Sequence, residues 1–266
     1  MKAILGLALS LVVVGAALGA SWLSPADPLK TDFAMSLRPP GSPGHPFGTD
    51  QLGRDLLSRV LYGARLSLFI GTCTVLVTAV IGSLLGLIAG FVERWPATVL
   101  MRIADVQLSF PFILLALTIN AIVGLGLRNI ILSLSAAGWV VYARVVRGEV
   151  LSVKRRDFVQ AAAALGVGRP RLLFRHVLPN VAPSIVVVAS LQFSQFVVAE
   201  AAISFLGFGV QPPTPAWGSM LSESRDFLYV AWWLAALPGA ALALTALGVN
   251  LLGDWLRDTL DPKLRM

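Results

Sequence analysis

Long uncharged runs alternate with short charged ones along this chain. A membrane-crossing helix needs about twenty mostly apolar residues. Six stretches meet or approach that length. They are Ala3 to Trp22; Leu66 to Val92, without a charge; Ile103 to Leu127, carrying only Asp105; Asn129 to about Val146, the weakest, with Arg144 near its end; Val181 to Phe208, carrying only Glu200; and Phe227 to Gly253, again uncharged. The expected fold is an all-α membrane protein with six transmembrane helices. The first stretch has a second reading. Lys2, an apolar core and the small residues "ALGA" near its end also fit a signal peptide. Its long core and thin basic region favour an uncleaved span, and whether it is cleaved stays open.

Several of these runs carry packing features. Gly82, Gly86 and Gly90 stand at i, i+4 and i+8 in the second run, where small residues let helix backbones approach closely. Pro111 and Pro238 each remove a backbone donor inside a span and permit a kink. Ionisable residues inside a bilayer cost about 2.5–3.5 kcal/mol on insertion scales and face a cavity or a partner helix. Glu200 belongs toward the outer end of its run. It lines the translocation path or an outer gate, or else it is a neutral or interhelically hydrogen-bonded acid. Asp105 is a second candidate for the path, although Arg102, three residues earlier, offers it a local pair. Asn120 suits a bond across helices.

The stretch before the second run, "HPFGTDQLGRDLLSRVLYGARLSL" (residues 45–68), is patterned differently. With Thr49 as cap, Leu52, Leu56, Val60 and Leu61 fall on one helical face. Asp50–Arg54 and Asp55–Arg59 stand acid before base at i, i+4, worth a few tenths of a kcal/mol each, roughly. This predicts a helix over 49–62 lying along the outer interface. It serves as a scaffold or as a docking or gating element. Further on, "GVQPPTPAW" (residues 209–217) reads as a rigid outer loop with Trp217 at headgroup level.

Composition supports the membrane reading. The 266 residues are 56% hydrophobic and 13% charged, about half the charge of a soluble domain. The net charge of +7 is explained by a basic cytoplasmic face rather than by nucleic acid. With the N-terminus inside, 14 of the 21 Lys and Arg residues fall on the inner face, Arg94, Lys263 and Arg265 among them. That bias puts both termini in the cytoplasm and residues 24–65 outside. One cysteine, Cys73, excludes an internal disulfide. His45 and His176 form no Cys/His metal cluster. The sequence has no G-x-x-x-x-G-K-[ST] phosphate loop and no Ser/His/Asp arrangement, so no cofactor is expected on this chain.

Between the fourth and fifth runs lies "KRRDFVQAAAALGVGRPRLLFRHVLPN", residues 154–180. It predicts two short helices. Asp157 caps the first. Ala161, Ala162 and Leu165 favour helix strongly. Gly166 takes the left-handed conformation that ends it. Pro170 opens the second helix and Pro179 ends it. The small side chains of the first would let another protein approach its backbone closely. The bland alternative is a basic linker on anionic headgroups.

This loop resembles the "EAA" loop of ABC importer permeases, E-A-A, three residues, G, nine residues, I-x-L-P. Here it reads Gln160, Ala161, Ala162, then Gly166, then His176, Val177, Leu178 and Pro179. Gln160 replaces Glu, keeping the length and an acceptor oxygen while giving up the charge; His176 replaces Ile. The opening stretch 45–68, "ISFLGFGVQPPTPAWGSML" (203–221) and "NLLGDWLRDTLDPKLR" (250–265) resemble the C-type permease of the dipeptide/oligopeptide/nickel group. The resemblance implies a type I importer transmembrane domain with a cytoplasmic coupling loop. It divides the chain into an N-terminal helix and outer segment, residues 1–65, and a core, residues 66–266, with the coupling loop at 154–180.

The implied partners are a second, B-type permease, two ATPase subunits carrying ATP and Mg, and an extracytoplasmic binding protein, all at an inner membrane. The implied transport proceeds by alternating access, with ATP hydrolysed on other chains. Peptides are the expected cargo, with nickel chelates, glutathione-like molecules or small glycans as alternatives. A self-sufficient secondary transporter would need its own coupling-ion site, for which the spans offer only Asp105 and Glu200. An intramembrane enzyme would need a nucleophile–base pair or metal ligands, which the spans lack.

Overall fold

The computed structural model describes residues 2–92 and 95–260. Arg94, Lys263 and Arg265, counted above on the inner face, lie outside the described residues, as does the end of the stretch 250–265. The chain begins with α1 (Lys2–Leu18) and the short α2 (Ala20–Leu23). An irregular segment follows and leads into α3 (Leu56–Val92). Then come α4 (Trp95–Leu108), α5 (Phe112–Val123), α6 (Leu127–Val153) and α7 (Asp157–Ala164). A three-residue α8 (Arg169–Arg171) runs through a π-helical turn, Leu172–Val177, into α9 (Leu178–Phe205). The chain ends with α10 (Trp217–Glu223) and α11 (Trp233–Leu260). Among the described residues the only β pairing is two isolated bridges.

Four helical runs are long and apolar enough to cross a membrane: α3, α6, the continuous run Arg169–Phe205, and α11. The third expected span, Ile103 to Leu127, is not one straight helix. α4 and α5 meet at a bend of 96° and together make a fifth candidate. Pro111 explains the break. It has no N–H to continue the helix and stands in an extended conformation just before Phe112. α1 is apolar but has 17 residues. The sixth run also shifts, because α11 starts at Trp233 rather than at residue 227.

The expected interfacial helix over 49–62 is absent. Residues 49–55 form turns, and helix begins at Leu56 and continues unbroken for 37 residues. At 1.5 Å per residue α3 is roughly 55 Å long, well beyond the hydrocarbon core. The division of the chain after residue 65 therefore falls inside α3.

The most extensive contact joins α3 to α6. A Cβ on Gly86 would stand 2.6 Å from the Ala143 carbonyl oxygen, and one on Gly90 2.7 Å from Val150 Cβ. A Cβ on Gly82 would stand 2.7 Å from Tyr142 Cβ. The glycine stripe thus lets the two backbones touch, as in small-xxx-small helix pairs. On other faces of α3, Leu76, Val80, Leu84 and Ile88 are exposed at four-residue spacing. A helix apolar all round is suited to lipid or to another membrane helix. A second long contact joins α1 to α11.

Trp217 is turned into the protein rather than presented to the surface. It is 1% exposed, its Nε1 donates to the Val60 carbonyl at 3.0 Å, and it packs with Leu56, Met220 and Leu234. An indole with its N–H satisfied loses nothing by full burial. That cluster joins the start of α3 to α10 and α11. At the other end, Leu87, Val146, Val150, Val159 and Val177 form the core under α7.

Candidate functional site

The loop 154–180 hangs from the ends of α6 and α9. Asp157 is the first helical residue of α7 and not its cap; Arg156 holds the cap position without a side-chain bond. Asp157 still places a carboxylate in the first turn, where the helix dipole favours it. The C-terminus is closed as the sequence suggests. Gly166 has φ +81°, its N–H reaches the Ala163 carbonyl at 3.0 Å, and Val167 N–H reaches that of Ala162 at 3.2 Å. This double bond pattern is the Schellman motif, and it needs a left-handed residue where only glycine is unstrained.

α7 has two faces. Val159 and Ala162 turn inward, so Ala162 is not a surface residue as expected for docking. Phe158, Gln160, Ala161 and Leu165 face outward, Leu165 at 85% exposed. Phe158, Ala161 and Leu165 follow i, i+3, i+7, so a bulky residue stands at each end of a flat alanine step. Phe158 was missing from the expected set, although the same period would have found it. The Gln160 side-chain amide bonds back to the Arg155 carbonyl at 3.1 Å.

Pro179 does not end the second helix. The Leu178 N–H reaches back five residues to Leu173 O, a π-type bond, and helix continues to Phe205. The wider π turn tolerates a proline just past it, because fewer i−4 bonds are left to break. Leu178 is half-buried, and Pro179 is exposed.

Of the two expected ion pairs, Asp50–Arg54 forms and Asp55–Arg59 does not. Arg54 Nε lies 2.6 Å from Asp50 Oδ2. Arg59 does not pair with Asp55; it lies 3.3 Å from Asp50 and 3.0 Å from Glu223. Glu223 Oε2 also takes Arg54 Nη2 at 2.9 Å. Asp55, rather than Thr49, caps α3. Its Oδ2 accepts from the Ser58 N–H at 2.8 Å and the Ser58 hydroxyl at 2.7 Å. Its other oxygen meets His45 Nδ1 at 2.9 Å. The Thr49 hydroxyl instead donates to the Met35 carbonyl and accepts from the Arg38 N–H. Asp50, Arg54, Asp55 and Arg59 are all buried. Two arginines and two carboxylates thus tie residues 50–59 to α10. Glu223 and His45 could not be inferred from helical spacing, since Glu223 is 164 residues from Arg59.

Glu200 is fully buried where α9 meets α3. Ser67 donates to its Oε2 at 3.1 Å and Ser204 to its Oε1 at 2.7 Å. Asp105 pairs with Arg144 of α6 and lies 3.8 Å from Arg102. The stronger tie is therefore between helices rather than local. Asn120 does bridge, donating to the Phe208 carbonyl and accepting from Ser133. Among the described residues no group of three His, Cys, Asp or Glu side chains stands ready for a metal.

Residues 82–266 match the family described as "Binding-protein-dependent transport system inner membrane component". The chain belongs to this family. It is a multi-pass membrane component of a transport system. It is 44% identical over 265 residues to the di/tripeptide transport system permease protein DppC of Pseudomonas aeruginosa, covering 98% of this chain and 88% of that one. It is 42% identical over 268 residues to the dipeptide transport system permease protein DppC of Escherichia coli, covering 99% and 89%. It is 42% identical over 255 residues to the glutathione transport system permease protein GsiD of Pectobacterium atrosepticum, covering 96% and 85%. The family match starts at Gly82, so the α7 loop lies inside it and the cluster at residues 50–59 lies before it.

Proposed function

We propose that this chain is the C-type permease subunit of an ATP-driven importer that moves di- and oligopeptides across the inner membrane by alternating access. The similarity to two permeases named for di- and tripeptide transport supports the cargo class. The observation that carries the mechanism is the outward face of α7. Phe158, Ala161 and Leu165 present a flat step between two apolar side chains, backed by Val159 and Ala162 in the core beneath. A rigid helix seated that way transmits a push into the inner ends of α3, α6 and α9 instead of absorbing it.

In this reading α7 docks on an ATPase subunit, and two such subunits hold ATP and Mg. A second, B-type permease completes the pore, and an extracytoplasmic binding protein delivers the cargo. Six crossings with both termini in the cytoplasm fit the charge bias, with α1 as the first crossing and the bent pair α4–α5 as the third. Glu200 and Asp105 act as interhelical ties that hold the path helices rather than as lining residues. Glutathione, a modified tripeptide, is the second cargo reading, favoured by the likeness to the glutathione permease.

Affinity purification of the tagged chain in mild detergent, followed by proteoliposome uptake of a labelled dipeptide, tests this. Recovery of a second permease and ATPases, with uptake that needs ATP and a binding protein, is the expected result. Uptake that persists with the ATPases removed would replace it with an ATP-independent transporter.

A further inference from the structure

Four helices leave a gap between them. A crevice of about 310 Å³ opens between α1, α3, α9 and α11, lined by Val13, Leu68, Val75, Phe193, Val249 and Leu252 among others. Three of its four hydroxyls are spent on their own helices. Thr72 donates to the Leu68 carbonyl, Ser190 to that of Val187 and Thr245 to that of Ala241, each back into its own helix. Ser10 alone of the lining hydroxyls is buried without a hydrogen bond among the described residues. The space offers a guest almost no hydrogen bonds. A peptide, with two charged termini, would lose several kcal/mol on entering it, roughly. An apolar cavity of about 150 Å³ already stays dry and accepts an apolar guest. The crevice is about twice that size.

Its shape and its rim name the guest. Along α3 the lining runs from Leu68 to Leu76, roughly 12 Å of helix axis. One turn above Leu68 stands Arg65. Its Nε donates to the Ala17 carbonyl, and its Nη2 to the Leu18 carbonyl at 2.8 Å and the Ser21 hydroxyl at 3.3 Å. It thereby closes the C-terminus of α1, and it stacks on Tyr62 at 5.0 Å. Nη1 makes none of these bonds, and no carboxylate lies within salt-bridge distance of Arg65 among the described residues. A fixed guanidinium with spare donors, one helical turn beyond the apolar lining, complements a phosphate carrying a hydrocarbon chain. We propose that this crevice is a phospholipid site, with one acyl chain between α1, α3, α9 and α11 and the lipid phosphate on Arg65. The lipid would then seal α1 against the rest of the bundle.

The test uses the purified full chain, with whatever subunits accompany it, in nanodiscs doped with a phosphatidylglycerol bearing a photoreactive acyl chain. After illumination, adducts are mapped by peptide mass spectrometry. The expected result is enrichment at residues 10–14, 68–76 and 189–193 over the exposed stripe Leu76, Val80, Leu84 and Ile88 beyond its shared first member. Diacylglycerol with the same photoreactive chain, which lacks the phosphate, should give about fivefold less at these positions, as should Arg65→Gln, the change expected for one arginine–anion contact. Val75→Trp, which fills the slot while leaving Arg65 in place, should abolish the enrichment. Even labelling of crevice and stripe would overturn the proposal. So would equal labelling by the two photolipids, or crosslinks from the crevice to another protein chain instead of lipid. None of these readouts depends on transport.

Discussion

A methyl group on Gly86 would press on the Ala143 carbonyl, and α3 and α6 would have to part to admit it. Gly86→Val should therefore destabilise by about 1–3 kcal/mol or more, as overpacking of a tight interface does. A Cβ on Gly148, on α6, would meet nothing within 4 Å. Gly148→Ala should leave stability unchanged or raise it by up to about 1 kcal/mol. Thermal melts of the two variants in one detergent check both signs. The glycine spacing was legible in sequence, but which of the many glycines touch a neighbour was not. Glu200 shows the same divide. Its burial follows from its run, while its partners Ser67 and Ser204 come from one distant and one nearby turn. Glu200→Gln retains an acceptor and should change stability little. Glu200→Ala strands two hydroxyls and should lose about 1–2 kcal/mol.

Among the elements, α7 separates its two alanines cleanly. Ala161→Trp places bulk on the outward step and should leave membrane insertion and melting unchanged while ATP-driven uptake falls to background. Ala162→Trp forces bulk into the core beneath and should lower the melting temperature as well, because Ala162 is only 9% exposed. Unchanged uptake in Ala161→Trp would remove α7 from the coupling path. The stop at Gly166 was readable, since a left-handed cap needs glycine. The continuation through Pro179 was not. Local rules treat proline as a boundary, but the π turn before it removed the conflict. The outer helix failed for a related reason. Period and ion-pair order suggested a helix from Thr49, yet Asp55 captured the Ser58 amide and set the true start. The preceding turn is held instead by Asp50, whose carboxylate takes the Leu52 and Arg54 amides.

Across the whole molecule, the cluster of Asp50, Arg54, Arg59 and Glu223 fastens the segment before α3 to α10. Glu223→Ala removes one of the two carboxylates shared by Arg54 and Arg59, leaves them Asp50, and should cost about 1.5–3 kcal/mol, as loss of a charged hydrogen-bond partner at a half-buried site does. Arg59→Met alone should cost a similar amount, and the double variant less than the sum. A double-mutant cycle on detergent-solubilised protein measures that shortfall; additive losses would show that Arg59 and Glu223 do not share one interaction. Topology follows the same division. With Cys73 replaced by Ser, a cysteine placed at Gly44 should react with an impermeant maleimide in intact cells, and one at Gly168 only after the membrane is opened. The apolar runs, the charge bias and the loop motif are all written locally, because a bilayer demands length and apolarity from each helix separately. They give the helical class, the family resemblance and the place of α7. The pairing of Arg59 with Glu223, the inward turn of Trp217 and Ala162 and the slot beneath Arg65 were not legible. Each depends on contacts between segments far apart in sequence, and only the assembled bundle supplies the partner that chooses among locally equivalent alternatives.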